Sequence, residues 1–279
     1  MSENRIDLIN FGGIVPLSTV DWLGRSALVV FLRGCPLRCP HCHNIGLRSG
    51  DNFVDFHVVA SRIVSQIKGE MSGNADTFSR SPQINLDEAS ERVRARPFVD
   101  AFVLSGGEPL QQSGAAARLF CLARSLHLDT GLETSGCYPD RLRELLKSGY
   151  VDKVFLDLKA ALQDQDYQRA TGEKGVAARV LESLEICMES GIPFDARTTV
   201  FPDVPTKSEV VEVARLLSRL RKENPGSRLE SFVLQQGRPR DGGPGFEPVC
   251  VQTLQEMADA IDMLENVKIR AVPSISWKN

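Results

Sequence analysis

The chain has 279 residues, 42% of them hydrophobic and 25% charged, which is enough for one large α/β domain or two small ones with a sizeable core. Its formal net charge is −3, whereas a nucleic-acid-binding surface usually brings an excess of basic residues. No apolar run is long enough to span a membrane, and the opening MSENRIDLIN lacks the charged-then-apolar layout of a signal peptide. We therefore expect a cytoplasmic protein whose seven cysteines are reduced thiols or metal ligands.

Short apolar runs rich in β-branched residues alternate with helical patterns along the chain. The apolar runs predict strands at 27–33, 99–104, 128–133, 151–157, 193–200, 229–235 and 267–272. The segments between them predict helices near 56–69, 111–126, 139–149, 174–190, 207–223 and 250–265. Asp55 and Ser208 precede two of these helices as candidate N-caps. Strict alternation of strand and helix indicates an α/β fold with a parallel sheet, arranged as a full or partial (β/α) barrel.

Two segments interrupt this alternation. Residues 1–26 precede the first barrel strand and are expected to form an extended lid or a hairpin. Residues 70–98 are polar and too long for an ordinary connection between helix and strand, so they are predicted to be an insertion. No internal repeat and no clear linker divides the chain, which predicts a single domain over 1–279.

Three cysteines lie within eight residues, at Cys35, Cys39 and Cys42 of the stretch FLRGCPLRCPHCHN. Their spacing alone would also suit one buried face of a helix. However, Gly34 is a weak helix former, and Pro40 would cost a helix about 3 kcal/mol through its missing N–H and its clash with the preceding turn. The segment is therefore predicted to be a loop that follows the first strand, on which the three thiols can converge on a metal or an iron–sulfur cluster.

Zinc is one alternative, with His41 or His43 as a fourth ligand. No second CxxC or distant HxxxH pair accompanies the three cysteines, and four ligands are the rule for structural zinc. Three thiolates on an iron–sulfur cluster would instead leave one iron open, which is the mark of a catalytic metal site. The other four cysteines stand singly and are expected to be small buried side chains: Cys121, Cys137, Cys187 and Cys250.

Polar motifs follow the later predicted strands at their carboxyl ends, the edge where barrel enzymes place their active sites. In chain order they are SGGEPL (105–110), ETSG (133–136), DLK (157–159), RTTVFPDVP (197–205) and QQGRP (235–239).

The C-x3-C-x2-C spacing together with SGGEPL resembles the signature of the radical S-adenosylmethionine (SAM) superfamily. The stretch FGGIVPLSTVDWLGRSALVVFLRGCPLRCPHCHN is similar to the opening of glycyl-radical-enzyme activases. It looks most like the activating proteins of anaerobic ribonucleoside-triphosphate reductase, from which the insertion at 70–98 is a departure. This resemblance implies a partial (β/α)6-type TIM barrel with an N-terminal extension and one polar insertion.

The resemblance also implies roles for individual residues. Cys35, Cys39 and Cys42 would ligate a [4Fe–4S] cluster, and His41 would shield that cluster. Asn44 would fix the loop by hydrogen bonds to the loop backbone. Gly106, Gly107 and Glu108 would contact the methionine end of SAM. Asp157 and Lys159 would flank the cofactor and the radical site as catalytic residues, with Lys159 facing the carboxylate. The remaining cofactor contacts would come from Glu133, Ser135, Arg197 and Gln235.

The implied reaction is reductive cleavage of SAM to methionine and a 5′-deoxyadenosyl radical, which then takes a hydrogen atom from a glycine of a partner enzyme. The expected partners are anaerobic ribonucleotide reductase and a flavodoxin or ferredoxin as electron donor. One alternative is a radical SAM enzyme that modifies a small molecule, a peptide or RNA, since superfamily membership does not determine the substrate. A structural zinc-binding module is the other.

Overall fold

The computed structural model of the chain describes residues 7–68, 99–239 and 245–271. The predicted insertion at 70–98 lies outside the described residues. The chain divides into two compact units. Unit 1 comprises Met1–Pro36, Asn44–Thr134 and Asp140–Val154, and unit 2 comprises Leu37–His43, Ser135–Pro139 and Phe155–Asn279. A single domain over 1–279 stays a prediction.

Unit 1 contains strands in the order β3-β1-β2-β4-β5. They are β1 (Leu8–Ser18), β2 (Ala27–Leu32), β3 (Phe53–Asp55), β4 (Ala101–Gly106) and β5 (Asp129–Thr134). β1 pairs antiparallel with both β2 and β3, while β2, β4 and β5 are parallel neighbours. The described part of the N-terminal extension therefore contributes β1 to the sheet, and the lid or hairpin expected over 1–26 stays a prediction.

The helices that follow these strands are α1 (Ile45–Arg48), α2 (Phe56–Lys68), a 3-10 turn (Pro109–Gln112), α3 (Ser113–Ser125) and α4 (Pro139–Lys147). β2 has the sequence ALVVFL and is almost wholly buried, as expected of a strand covered on both faces. α2 buries the apolar residues that recur every three or four positions along it. The Asp55 carboxylate accepts the N–H of His57 at 2.7 Å, so the predicted cap is present.

Unit 2 contains strands in the order β6-β7-β8-β9, with β7, β8 and β9 parallel to one another. The strands are β6 (Lys153–Asp157, which begins in unit 1), β7 (Phe194–Val200), β8 (Leu229–Gln236) and β9 (Val267–Arg270). The helices are α5 (Asp164–Thr171), α6 (Ala177–Glu189), α7 (Lys207–Glu223) and α8 (Val251–Asp259). Strand and helix alternate through the unit, which confirms the α/β class.

The N-cap predicted for α7 at Ser208 is wrong. The cap is Thr206, whose hydroxyl accepts the N–H of Glu209 at 3.3 Å while the Glu209 carboxylate accepts the N–H of Thr206 at 2.7 Å. This reciprocal pair is a capping box, which needs Ser or Thr three positions before Glu, and TKSE places Thr206 at that distance. The helix therefore begins one residue before Ser208.

All the predicted strands and helices are present, with most ends displaced by a few residues. The sequence patterns missed β3, α1 and α5, each of which is eight residues or shorter. α5 is mostly polar and buries only Tyr167, Ala170 and Thr171, which leaves too short an apolar stripe to recognise. Within the described residues, no helix combines the length and the apolar character needed to cross a bilayer.

Candidate active site

The three clustered cysteines lie on irregular backbone, as the prolines predicted. All three thiols are half-buried and none forms a disulfide. Cys35 belongs to unit 1, where its N–H donates to the carbonyl of Arg48 at 3.1 Å. Cys39 and Cys42 lie on Leu37–His43 of unit 2, which we call the cysteine loop, and the N–H of Cys42 donates to the carbonyl of Cys39 at 3.2 Å.

Cys39 lies in an electrostatically mixed environment. Burial raises the pKa of its thiol, the positive charge of Lys159 acts to lower that pKa, and the nearby Cys42 thiol raises it further. Asp157 contributes a smaller upward effect. The cysteine loop and the DLK motif of unit 2 therefore lie within electrostatic reach of each other.

DLK begins on the last residue of β6. Nζ of Lys159 donates to Oδ2 of Asp157 at 2.7 Å, and the two side chains are 26% and 35% exposed. Burial alone would lower the pKa of Lys159, but the Asp157 carboxylate, followed by Cys39, raises it above its ordinary value. Lys159 is therefore a positive charge held at the end of β6.

Arg197 lies on the neighbouring strand β7 and is buried. Its guanidinium carbon stands 3.8 Å above the centre of the Phe155 ring, a cation–π contact. Its carbonyl accepts the N–H of Leu158 at 2.7 Å, and Thr198 donates its hydroxyl to the Leu158 carbonyl at 2.9 Å. β7 therefore fixes the backbone of Leu158, the middle residue of DLK, through these two hydrogen bonds.

His41 stacks on Phe201 of unit 2 with ring centres 4.5 Å apart. Phe246 meets both rings edge-on, at 5.5 Å from His41 and 5.6 Å from Phe201. A side chain on Gly237 would come within 2.3 Å of the Phe201 ring, so the glycine leaves the space that this ring fills. One face of His41 is therefore covered by aromatic packing.

The GGE motif ends β4 in unit 1, and its glycines fit tightly against β2 and the residues after it. A Cβ on Gly106 would lie 2.1 Å from the carbonyl oxygen of Leu32, and one on Gly107 would lie 2.3 Å from that of Gly34. Gly106 also has φ +135°, which side-chain-bearing residues rarely adopt. Asn44 donates to the carbonyl of Gly106 at 3.5 Å.

Glu108 is fully buried. Its Oε1 accepts the N–H of Leu110 at 3.0 Å and the hydroxyl of Thr134 at 2.8 Å, so it caps the 3-10 turn and joins the ends of β4 and β5. The N–H of Glu108 donates to the carbonyl of Gly34 at 2.8 Å. Sequence reasoning passed over Thr134, although it belongs to the ETSG motif.

The remaining candidates lie at the ends of β5 and β8. Glu133 is half-buried on β5 of unit 1. Ser135 is buried in unit 2 and donates to Sγ of the buried Cys137 at 3.2 Å. Gln235 is half-buried on β8, and its side-chain oxygen accepts from Arg270 at 3.2 Å.

The four single cysteines differ in burial. Cys137 and Cys187 are buried, as expected. The burial predicted for Cys121 and Cys250 is wrong, because both lie on exposed faces of the chain.

Two groups of candidates therefore form within the units. Unit 1 places Glu108 of the GGE motif beside Thr134, and unit 2 places Cys39 near Cys42, Lys159 and Asp157. Within the described residues, no three His, Cys, Asp or Glu side chains are grouped so as to hold a single metal ion. A [4Fe–4S] cluster does not require its ligands to meet at one metal ion, because each thiolate binds a different iron of the cluster.

Comparison with curated proteins finds relatives along most of the chain. One relative, from Methanocaldococcus jannaschii, carries a provisional name as a glycyl-radical enzyme activating enzyme. It is 25% identical over 267 residues, covering 93% of this chain and 95% of the relative. The isethionate sulfite-lyase activating enzyme of Oleidesulfovibrio alaskensis is 27% identical, covering 70% of this chain and 75% of the relative. The 7-carboxy-7-deazaguanine synthase of Thermococcus kodakarensis is 28% identical and covers 68% of each.

Among solved structures, a radical SAM methyltransferase from Sphaerobacter thermophilus has a TM-score of 0.62 at 16% identity, covering 90% of this chain and 68% of that one. At this identity the likeness concerns the fold alone, and it agrees with the partial (β/α) barrel expected from the sequence. The model of the radical SAM superfamily matches residues 29–217, which is more than half of the chain and includes the cysteines, GGE and DLK. Because this match spans three motifs from three different strand ends, the chain belongs to the radical SAM superfamily, and it is an enzyme whose cofactors are a [4Fe–4S] cluster and SAM.

Proposed function

We propose that this radical SAM enzyme generates a glycyl radical on a partner enzyme, and that the partner is anaerobic ribonucleoside-triphosphate reductase. The observation that carries the proposal is the relationship to a protein named as a glycyl-radical enzyme activating enzyme, which extends over nearly the full length of both chains. The choice of reductase rests on the stretch GGIVPLSTVD before the cysteines, which resembles the opening of its activating proteins.

The donor set supports a cluster at the cysteines. Cys35, Cys39 and Cys42 carry thiols that are half-buried and not in disulfides, and thiolates are the usual ligands of iron–sulfur clusters. Lys159 brings a positive charge near Cys39, which offsets part of the negative charge that thiolates would gather there. When bound, the cluster and SAM together supply one-electron cleavage of the sulfonium C–S bond.

The proposed work of the protein's other residues is to bind and orient SAM. Glu108 holds a carboxylate for the ammonium group beside the close-packed glycines Gly106 and Gly107, with Glu133 and Ser135 toward the amino group or the ribose. Lys159, kept protonated by Asp157, offers a positive charge to the SAM carboxylate. Arg197 serves the carboxylate or the ribose, and Gln235 serves the adenosine end.

We also propose a flavodoxin or ferredoxin as the electron donor and the cytoplasm as the location. Both follow from the proposed function, because the reaction consumes one electron and its glycyl-radical partner is an oxygen-sensitive enzyme of metabolism.

The test is anaerobic reconstitution with iron and sulfide, followed by reduction with SAM in the presence of a candidate partner. We expect 5′-deoxyadenosine and methionine in equal amounts, and a glycyl radical signal in electron paramagnetic resonance when the glycyl-radical subunit of the reductase is added. Parallel arms contain the pyruvate formate-lyase polypeptide or no partner. A glycyl signal with the lyase alone would refute the choice of reductase, and no glycyl signal in any arm would refute activation.

A second candidate is modification of a small molecule, favoured by the similarity to a 7-carboxy-7-deazaguanine synthase over 68% of the chain. The same reconstituted protein is incubated with SAM and a low-molecular-weight cell extract as the probe, and 7-carboxy-7-deazaguanine is sought by mass spectrometry. Its formation coupled to cleavage of SAM, without a protein radical, would favour this candidate over the first.

Replacing Glu108 by glutamine should weaken SAM binding while the fold is retained. The amide oxygen can still accept from Leu110 and Thr134, but the negative charge is lost. A hydrogen bond between charged groups contributes about 1.5–3 kcal/mol, so we expect the KM for SAM to rise about 10- to 100-fold. The measurement is the SAM dependence of 5′-deoxyadenosine formation. Glu144→Gln, on the exposed side of α4, is the matched control, and an unchanged KM in Glu108→Gln would leave Glu108 as a structural cap only.

A further inference from the structure

The helix α5, which the sequence patterns did not predict, is firmly anchored within unit 2. Tyr167 at its centre is only 1% exposed. Nη2 of Arg169 pairs with Oε1 of Glu209 at 2.6 Å, and that carboxylate is itself buried in the capping box of α7. Asp164 and Asp166 lie in the first turn, where their negative charges stabilise the helix by interacting with the positive end of its dipole. α5 is therefore fixed both by its core side and by an ion pair to a longer helix.

The carboxyl end of α5 holds the cysteine loop directly. The carbonyl of Thr171 accepts the N–H of Arg38, the residue before Cys39, at 2.8 Å. Gly172 ends the helix with φ +72°, and a Cβ there would lie 2.9 Å from the carbonyl oxygen and 3.1 Å from the Cβ of Arg38. Glu173 then pairs with Nε of Arg38 at 2.9 Å. The helix end and the loop backbone are thus packed with no room for a side chain between them.

The middle of the same helix holds DLK. The phenol oxygen of Tyr167 accepts the backbone N–H of Lys159 at 3.1 Å. The side chain of Lys159 is in turn fixed by Asp157 at 2.7 Å, and its charge acts on Cys39. One short helix therefore contacts the backbone of both the loop that carries Cys39 and the motif that carries Lys159.

We propose that α5 is the element that sets the position of the cysteine loop and of Lys159, with Gly172 and Tyr167 as its positioning residues. The loop contains Pro40, which can donate no backbone hydrogen bond, and its bond from the N–H of Cys42 to the carbonyl of Cys39 is long at 3.2 Å. Its geometry therefore depends on what it packs against. The meaning of this for cofactor binding rests on the proposed function, but the contact itself can be tested without any cofactor.

The first experiment compares two glycines with the same backbone conformation. Gly172 and Gly175 both have positive φ, at +72° and +64°, but a Cβ on Gly175 meets nothing within 4 Å. Alanine therefore introduces similar backbone strain at both sites and a clash with Arg38 only at Gly172. Hydrogen exchange of the full chain without cofactor, followed by mass spectrometry, should show faster exchange across 37–43 in Gly172→Ala and wild-type exchange there in Gly175→Ala.

Should Gly172→Ala fail to fold, Gly172→Asn takes its place, with Gly175→Asn as its control. Asparagine tolerates positive φ better than other residues with side chains, so the clash with Arg38 remains while the backbone strain falls. Equal exchange across 37–43 in the variants at 172 and at 175 would overturn the role of Gly172.

The second experiment uses the reconstituted protein. Gly172→Ala should lose iron to a chelator about tenfold faster than Gly175→Ala, as expected for an overpacking clash with Arg38 beside a ligand. A wild-type protein that binds no cluster would refute the proposed function, while the exchange comparison would still decide the role of α5. Faster exchange in Gly172→Ala with an unchanged rate of iron loss would show that α5 does not position the loop for its ligand role.

Tyr167→Phe tests the other contact. The ring keeps its buried place, but the backbone N–H of Lys159 loses its acceptor. We expect the KM for SAM to rise about three- to tenfold, as for one lost hydrogen bond, with the iron content and the signal of the reduced cluster unchanged. Tyr150→Phe, at an exposed position in unit 1, is the control. A KM equal to wild type, or a parallel loss of iron, would exclude Tyr167 as the positioning residue of Lys159.

Discussion

Replacing Cys39 by alanine should remove the iron–sulfur cluster and with it the cleavage of SAM. A [4Fe–4S] cluster held by three thiolates has no spare protein ligand, so the loss of one leaves two irons without a protein donor. We expect the iron content after anaerobic reconstitution to fall from about four per chain to near none. Formation of 5′-deoxyadenosine should fall to the level of protein that has not been reconstituted. The measurements are iron analysis, the absorption of the cluster and chromatography of the products.

The matched control is Cys121→Ala, which removes an exposed thiol from α3 and should leave both the iron content and the reaction as in the wild type. Cys187→Ala is a second control, because that cysteine is buried on α6 and, among the described residues of unit 2, its hydrogen bonds reach none of those proposed to bind SAM. Full iron loading in Cys39→Ala, together with its loss in either control, would show that the ligands have been assigned wrongly.

Replacing Gly106 by alanine should destabilise the fold whether or not cofactors are bound. Gly106 pairs in register with Leu32 of β2, and an added Cβ would lie 2.1 Å from the carbonyl oxygen of that residue. The obstacle is backbone within a parallel sheet, so no side-chain rotation relieves it. Its φ of +135° adds strain for any residue with a side chain. We expect the free energy of unfolding to fall by about 2–5 kcal/mol, combining overpacking and backbone strain.

Urea denaturation of the protein without cofactors, followed by circular dichroism, measures this change as a lower midpoint. Gly114→Ala is the control, because Gly114 lies in the first turn of α3 and its Cβ would meet nothing within 4 Å. Alanine in a helix is better than glycine by about 0.5–1 kcal/mol, so this control should unfold at an equal or higher concentration of urea. A midpoint for Gly106→Ala equal to that of the wild type would mean that β2 and β4 leave room for a Cβ at this position.

The sequence predicted the periodic part of the fold well. β2 and α7 have long, regular apolar patterns, and both were located to within a residue of their ends. The short or polar elements β3, α1 and α5 were missed, because their stability comes from contacts with the rest of the chain and not from their own periodicity. The capping box of α7 is an intermediate case, since Thr206 and Glu209 show the motif but Ser208 looked equally suitable as a cap.

The same division applies to the candidate site. The loop conformation of the cysteine segment and the motifs at the strand ends could be identified from the sequence, because prolines, glycines and residue spacing act locally. The double role of Glu108 as a buried cap and a link to Thr134 could not be identified from the sequence. Glu108 and Thr134 are distant in sequence and meet only in the folded sheet.

By itself, the sequence determined the α/β alternation, the irregular cysteine segment and membership of the radical SAM superfamily, since each of these is carried by local spacing and residue type. Only the tertiary structure decided that Lys159 lies near Cys39, that Gly106 must be a glycine because of Leu32, and that α5 holds Arg38 through Thr171 and Gly172. The physical reason is that each of these contacts joins residues distant along the chain, so it exists only once packing has brought their backbones together.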